Sequence, residues 1–227
     1  MSVAHPLRAV LFDIGDTLVR LDAGAGALVA RAARTLGVDV DPQAAVAVWS
    51  RVLAEASGPE ELAKGRDLSL DRHREVWTEL YRRCGADELA PNLASAVYDA
   101  TVRADAWTAF PDALGVLRAL DRAGIPVGVV SDTGFDLRPV LQRTGLAPYV
   151  GTVLLSYEHG RCKPDVSVFR AACEALGVDP ARVLMVGDNP YTDGGAALAG
   201  LTTLLLPPPT DGPRGLAHVL HLLGLPA

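Results

Sequence analysis

Five short apolar runs, each broken by a polar turn, set the tightest limit on how this chain folds. Val10-Leu11-Phe12, Ile125 to Val130, Val153 to Leu155, Val183 to Val186 and Leu204 to Leu206 are continuous rather than alternating. Such runs suit strands covered on both faces, as in a parallel sheet. Helical patterns lie between them. Ala113, Val116, Leu117 and Leu120 share one face of a helix that Pro111 opens and Gly124 closes, and Gly145 and Gly177 close two more. Strand alternating with helix predicts an α/β fold built on a doubly wound parallel sheet.

A different style occupies the stretch from about residue 23 to residue 105, where only helical spacing is found. Ala25, Leu28, Val29, Ala32, Ala33 and Leu36 repeat at three and four. So do Ala45, Val48, Trp49, Val52 and Leu53, then His73, Val76, Trp77, Leu80, Tyr81 and Cys84, then Leu93, Ala96, Val97 and Ala100. Four amphipathic helices with short polar breaks predict a small bundle inserted after the first strand. The expected division is a core of residues 1–20 and 108–227 and a helical insert of residues 21–107. Trp49 and Trp77 fall on the bundle's apolar stripes and are expected to be core packing, as is His73. Trp107 and Phe110 are expected to pack the hinge between the two parts.

Bulk properties narrow the function classes. The 227 residues are 49% hydrophobic and 21% charged, the balance of a globular protein, with a net charge of −6. The basic residues are scattered rather than gathered into a stripe, which argues against nucleic acid or an anionic membrane as partner. Cys84, Cys162 and Cys173 have neither metal-ligand spacing nor the even number of a disulfide framework, so reduced packing residues are expected. No signal-peptide pattern precedes the first strand and no apolar run approaches the roughly 20 residues needed to span a bilayer, so a cytoplasmic location is expected.

The chemistry-bearing residues gather at strand ends. The first strand runs out into Asp13-Ile14-Gly15-Asp16-Thr17-Leu18, and the second into Ser131-Asp132-Thr133. Lys163-Pro164 precedes a helix. Gly187-Asp188 ends another strand, with Asp193 five residues later. Open α/β sheets bind ligands at this rim. Asp13, Asp188 and Asp193 are hard oxygen ligands that suit Mg²⁺ rather than zinc, and the Gly15 carbonyl could complete their set. Lys163 and the hydroxyl of Ser131, with Asp132 beside it, would hold phosphoryl oxygens. A carboxylate nucleophile at Asp13 would form an aspartyl phosphate.

These four motifs, in this order, resemble the haloacid dehalogenase superfamily, and the resemblance spans essentially the whole sequence. It implies a Rossmann-like core with a four-helix cap between the first and second motifs. It further implies Asp13 as nucleophile, Ser131 and Lys163 as phosphate ligands, and Mg²⁺ held by Asp188 and Asp193. The implied partner is a small phosphorylated metabolite, with the chain a monomer or homodimer.

One position departs from the family pattern. Phosphatases of this superfamily carry a second aspartate two residues after the nucleophile as general acid and base, and here Gly15 stands there. Asp16 is displaced by one residue, which in extended chain turns a side chain to the other face. It is either a substitute acid/base or a carboxylate that stabilises the turn through nearby N–H groups. Loss of a general acid/base costs about 10²–10⁴ in rate. A weak phosphatase, a phosphate-binding descendant without turnover, a 2-haloacid dehalogenase and a phosphonate-cleaving enzyme using the insert's Lys64 as Schiff base remain alternatives. Arg31, Arg66 and Arg103 and the stretch from Gly58 to Asp67 are the candidate specificity residues of the insert.

Overall fold

The computed structural model describes residues 7–22 and 24–226; positions 1–6, 23 and 227 of the two expected domains lie outside the described residues. Five parallel strands, β1 (Ala9–Phe12), β4 (Val127–Ser131), β5 (Thr152–Leu155), β6 (Val183–Gly187) and β7 (Thr202–Leu205), form one sheet in the order β5-β4-β1-β6-β7. β1 is central, with Phe12 level with Val129 on one side and Val186 on the other. Its side chains alternate between the faces, as the pleat requires. Val10 and Phe12 join a core with Val116, Leu117 and Val219, whereas Ala9 and Leu11 join one with Phe169, Cys173 and Met185.

Those two cores are covered by helices, so the sheet is doubly wound, as its continuous apolar runs predict. α7 (Ala113–Arg122), α8 (Arg138–Arg143) and α11 (Ala217–Leu222) lie on the first face. α10 (Val166–Leu176) and a 3-10 helix (Asp193–Ala199) lie on the second, and a single turn, α9 (Ser156–His159), follows β5. Local chemistry sets the helix ends. Asp165 caps α10 by accepting the Ser167 N–H at 2.9 Å, and Gly177 ends it at φ 67°.

Between β1 and α7 the chain makes a helical layer with its own core. Its helices are α1 (Ala27–Thr35), α2 (Pro42–Ala56), α3 (Pro59–Leu62), α4 (Leu70–Arg83), α5 (Ala86–Leu89) and α6 (Leu93–Thr101). The four longer ones are those that the spacing predicts; α3 and α5 are single turns too short to show a period. Leu28, Val48, Leu80, Leu93 and Val97 are buried together. Leu53 is a correction: it shares the apolar spacing of α2 yet is 60% exposed.

The two crossings between core and helical layer are joined by a short antiparallel ladder. β2 (Val19–Leu21) pairs with β3 (Trp107–Ala109), Leu21 level with Trp107. Three-residue strands carry no readable alternation, and the sequence shows only the packing at Trp107 and Phe110. Trp107 packs against both cores and Phe110 is buried in the first. Among the described residues, no helix is long and apolar enough to cross a membrane.

Candidate active site

β1 delivers Asp13 to the centre of the rim, where its N–H bonds the Val186 carbonyl at 2.9 Å and its side chain is nearly buried. The chain then turns sharply. The N–H groups of Leu18 and Val19 both reach the Ile14 carbonyl, and the Asp16 N–H reaches that of Val19 at 2.8 Å. The hydrogen bonds that close the turn thus go to Ile14 and Val19, not to the Gly15 carbonyl. Asp16 takes φ 52°, a left-handed conformation that Asp tolerates better than most residues. The Arg214 Nε donates to its backbone carbonyl at 2.5 Å. No N–H group of the turn bonds the Asp16 carboxylate, so it does not stabilise the turn in the expected way; it is exposed and lines the cavity described below.

Lys163 is the hub. Its ammonium is buried and donates to Asp13 Oδ1 at 2.7 Å and to Asp193 Oδ1 at 2.6 Å. Its backbone N–H donates to the Asp132 carboxylate at 2.9 Å, so Asp132 anchors the Lys163 loop to the end of β4. Asp193 is fully buried and is held from its other oxygen by the N–H groups of Asp188 and Asn189, both at 3.0 Å. Gly187 permits this: a Cβ there would lie 2.2 Å from Asp193 Oδ2. The Thr17 hydroxyl donates to Asp188 Oδ1 at 3.4 Å, a contact across 171 positions that the sequence does not show. Oxygens of Asp13, Asp188 and Asp193 lie within 4.8 Å of one another.

The electrostatics follow from this crowding. Burial raises the Asp13 carboxyl from its ordinary range to about 7, with Lys163 pulling it down and Asp193 and Asp188 adding to the rise. Burial alone would lower the Lys163 ammonium, but Asp13, Asp193 and Asp132 outweigh it and hold the lysine well above its ordinary value. Asp188 is also raised, by burial and then by Asp16 and Asp193. Several carboxylates thus face one lysine. That excess of hard anionic oxygens fits a divalent cation such as Mg²⁺, which would relieve it.

The rim opens into a cavity of about 270 Å³ beneath the helical layer. Gly15, Asp16, Ser131 and Asp132 line it from the core, and Arg66, Asp67 and His73 from the insert. Ser131 is buried at the end of β4. Of the candidate arginines only Arg66 is here; Arg31 and Arg103 line a different hollow, beside α1 and α6. Lys64 is away from the cavity and pairs with Glu61 at 2.5 Å, so the Schiff-base alternative has no lysine in place. His73 is buried and bonded to the Tyr98 hydroxyl at 3.0 Å, the packing role its stripe predicts. Trp49 and Trp77 differ from expectation: they pack against the insert's core, but they are only half-buried and also line the cavity. The cysteines are free, Cys84 and Cys173 buried and Cys162 half-buried.

A family model for haloacid dehalogenase-like hydrolases matches residues 7–200. The chain belongs to this family. Among haloacid dehalogenase-like hydrolases it is similar to haloacid dehalogenase-like hydrolase domain-containing protein 3 of Danio rerio, 29% identical over 194 residues that cover 83% of this chain and 79% of that one. A phosphoserine phosphatase of Thermus thermophilus is 36% identical over 158 residues, 68% of this chain and 60% of the relative. A solved dehalogenase structure with an intermediate complex superposes with TM-score 0.68 over 97% of this chain and 98% of that one; at 21% identity it shows the shared fold. The chain is therefore a hydrolase with the α/β core of this family.

Proposed function

We propose that the chain is a Mg²⁺-dependent phosphatase of a small phosphorylated metabolite, with the helical insert of residues 21–107 as a cap over the core. The observation that carries this reading is the buried Lys163 ammonium between Asp13 and Asp193, with Asp188 in the same oxygen cluster. In this reading Asp13, Asp188, Asp193 and the Gly15 carbonyl would hold Mg²⁺, which would supply charge neutralisation for the phosphoryl group. Asp13 attacks phosphorus in line, and the ester oxygen leaves as its bond to phosphorus breaks. Lys163 and the Ser131 hydroxyl hold the phosphoryl oxygens, and Asp132 keeps the Lys163 loop at the rim. Asp16 gives the leaving oxygen its proton, then takes one from the water that cleaves the aspartyl phosphate. The similarity to a phosphoserine phosphatase supports the reaction class.

Dehalogenation of a small haloacid is the second reading. The absence of a carboxylate at Gly15 favours it, because a departing halide needs no proton. Assay of phosphate esters and 2-haloacids, with Mg²⁺ and with chelator, separates the two. Phosphate release lost on chelation supports the first reading; halide release that survives chelation overturns it. Asp13→Asn is expected to abolish turnover in either case while circular dichroism and Tm stay near wild type, and retained turnover would remove Asp13 as nucleophile.

A further inference from the structure

The chain has three tryptophans, and all three line the cavity above the rim. Trp49 comes from α2, Trp77 from α4 and Trp107 from β3, so three separate elements bring them together. Tyr81 stacks on Trp49 with centroids 6.4 Å apart and meets Trp77 tilted at 5.7 Å, and Phe135 packs against Trp107 at 6.4 Å. Packing alone does not account for this. The insert's own core is filled by Leu, Val, Ala and Tyr side chains, while the tryptophans stay half-buried and leave surface on the void. The hollow is an open cleft, so these half-buried rings are within reach of a ligand. One wall differs in kind: Arg66 sits 4.5 Å over the Trp77 ring and its Nε reaches the Asp67 carboxylate at 3.4 Å.

We propose that this cavity binds the leaving group of the substrate, and that this group is a compact aromatic ring system. Gly15, Asp16 and Ser131, which stand beside Asp13 and at the end of the neighbouring strand, share the cavity with the tryptophans, so the ester substituent of a phosphoryl group held on Asp13 would extend towards them. About 270 Å³ is just below the roughly 300–1,000 Å³ usual for small-molecule sites, which favours a compact group. A polyol or amino-acid substituent could pair only those hydroxyl or ammonium groups that reach Asp16, Arg66, Asp67 or Asp132, and each one left unpaired against a ring face would cost about 1–3 kcal/mol. Aromatic faces in offset or edge contact gain about 0.5–1.5 kcal/mol beyond their buried area. Arg66 and Asp67 would then meet polar atoms on the ring's edge.

This inference rests on the phosphatase reading, and its test keeps the two apart. 2-Phenylethyl phosphate and glycerol phosphate both release an alkanol, so their comparison reports the pocket rather than leaving-group acidity. The expected kcat/KM is at least about tenfold higher for the phenylethyl ester, carried by KM. Trp49→Ala should reduce that preference by about tenfold and Trp49→Phe should keep most of it. Equal efficiency on the two esters, or a Trp49→Ala loss that is the same for both, overturns the proposal. Binding of 2-phenylethanol, followed by intrinsic tryptophan fluorescence in Asp13→Asn, supplies an arm that needs no turnover. A saturable change there, with no hydrolysis of any phosphate ester by the wild-type enzyme, sustains the pocket and removes only the phosphatase reading; no saturable change removes the pocket.

Discussion

Gly15 is the residue on which the reaction turns, and its surroundings make it testable. A Cβ built there meets nothing within 4 Å, so the backbone has room for a side chain to leave it. Gly15→Asp is expected to raise kcat on a phosphate ester, by up to about 10²-fold where proton transfer limits the rate. Steady-state assay with Mg²⁺ checks it; no gain, or a lower kcat, would mean that Asp16 or another donor already serves without limiting the rate, or that the reaction is different. Asp13, Ser131, Lys163, Asp188 and Asp193 were legible because each stands just past an apolar run or at a helix start, where a polar side chain has few structural reasons to be. Thr17 was within reach of the same logic, lying in the first motif. Arg214 was not: it meets Asp16 across 198 positions from a Pro- and Gly-rich stretch that carries no local pattern.

At the scale of elements, α4 shows how a helix stripe serves two surfaces at once. Ser69 caps it by accepting the Arg72 N–H at 3.2 Å, and His73, Val76, Leu80 and Tyr81 turn inward. Burial, helped by Arg66, lowers the His73 pKa from 6.5 to about 3. The folded protein therefore refuses a proton that the unfolded chain accepts below about pH 6.5. The resulting stability is present above that pH and is lost as pH falls from 6.5 towards 3. The raised Asp13 carboxyl has the opposite pH slope, so the His73 contribution is read against a variant: in thermal melts from pH 7 to pH 4, wild type is expected to lose Tm relative to His73→Phe as pH falls. Equal slopes would place the acid sensitivity elsewhere. The four long helices were legible because nine or more residues show a period; β2, β3, α3 and α5 were not, being three or four residues each.

For the whole molecule, the decisive contact is where the insert meets the core. The Ser156 hydroxyl donates to the Asp67 carbonyl at 2.6 Å and accepts the Thr133 N–H at 2.9 Å, linking α9, the loop after β4 and the insert. Gly134 lets that loop touch the start of α4: a Cβ there would lie 2.2 Å from His73 Cβ and 2.8 Å from the Ser69 carbonyl. Gly134→Ala must push the two apart. A displacement of about 1 Å costs up to about 10²-fold in rate, so kcat/KM is expected to fall by that order while both cores, and hence Tm, change little. Kinetics beside a thermal melt checks this; near-wild-type kcat/KM would show that the insert's position does not matter to the site.

The sequence by itself determined the doubly wound sheet, the place of the helical insertion and the strand-end carboxylates and lysine. Those follow from local facts: the period of apolar residues and the positions where apolar runs stop. Tertiary structure alone decided that Arg66 and not Arg31 or Arg103 reaches the cavity, and that three tryptophans converge there. A hydrophobic period says which face of a helix leaves water, not what lies opposite that face. Trp49 and Trp77 obey the period and still keep part of each ring for the cavity, because the surface that covers them belongs to residues far away in the chain.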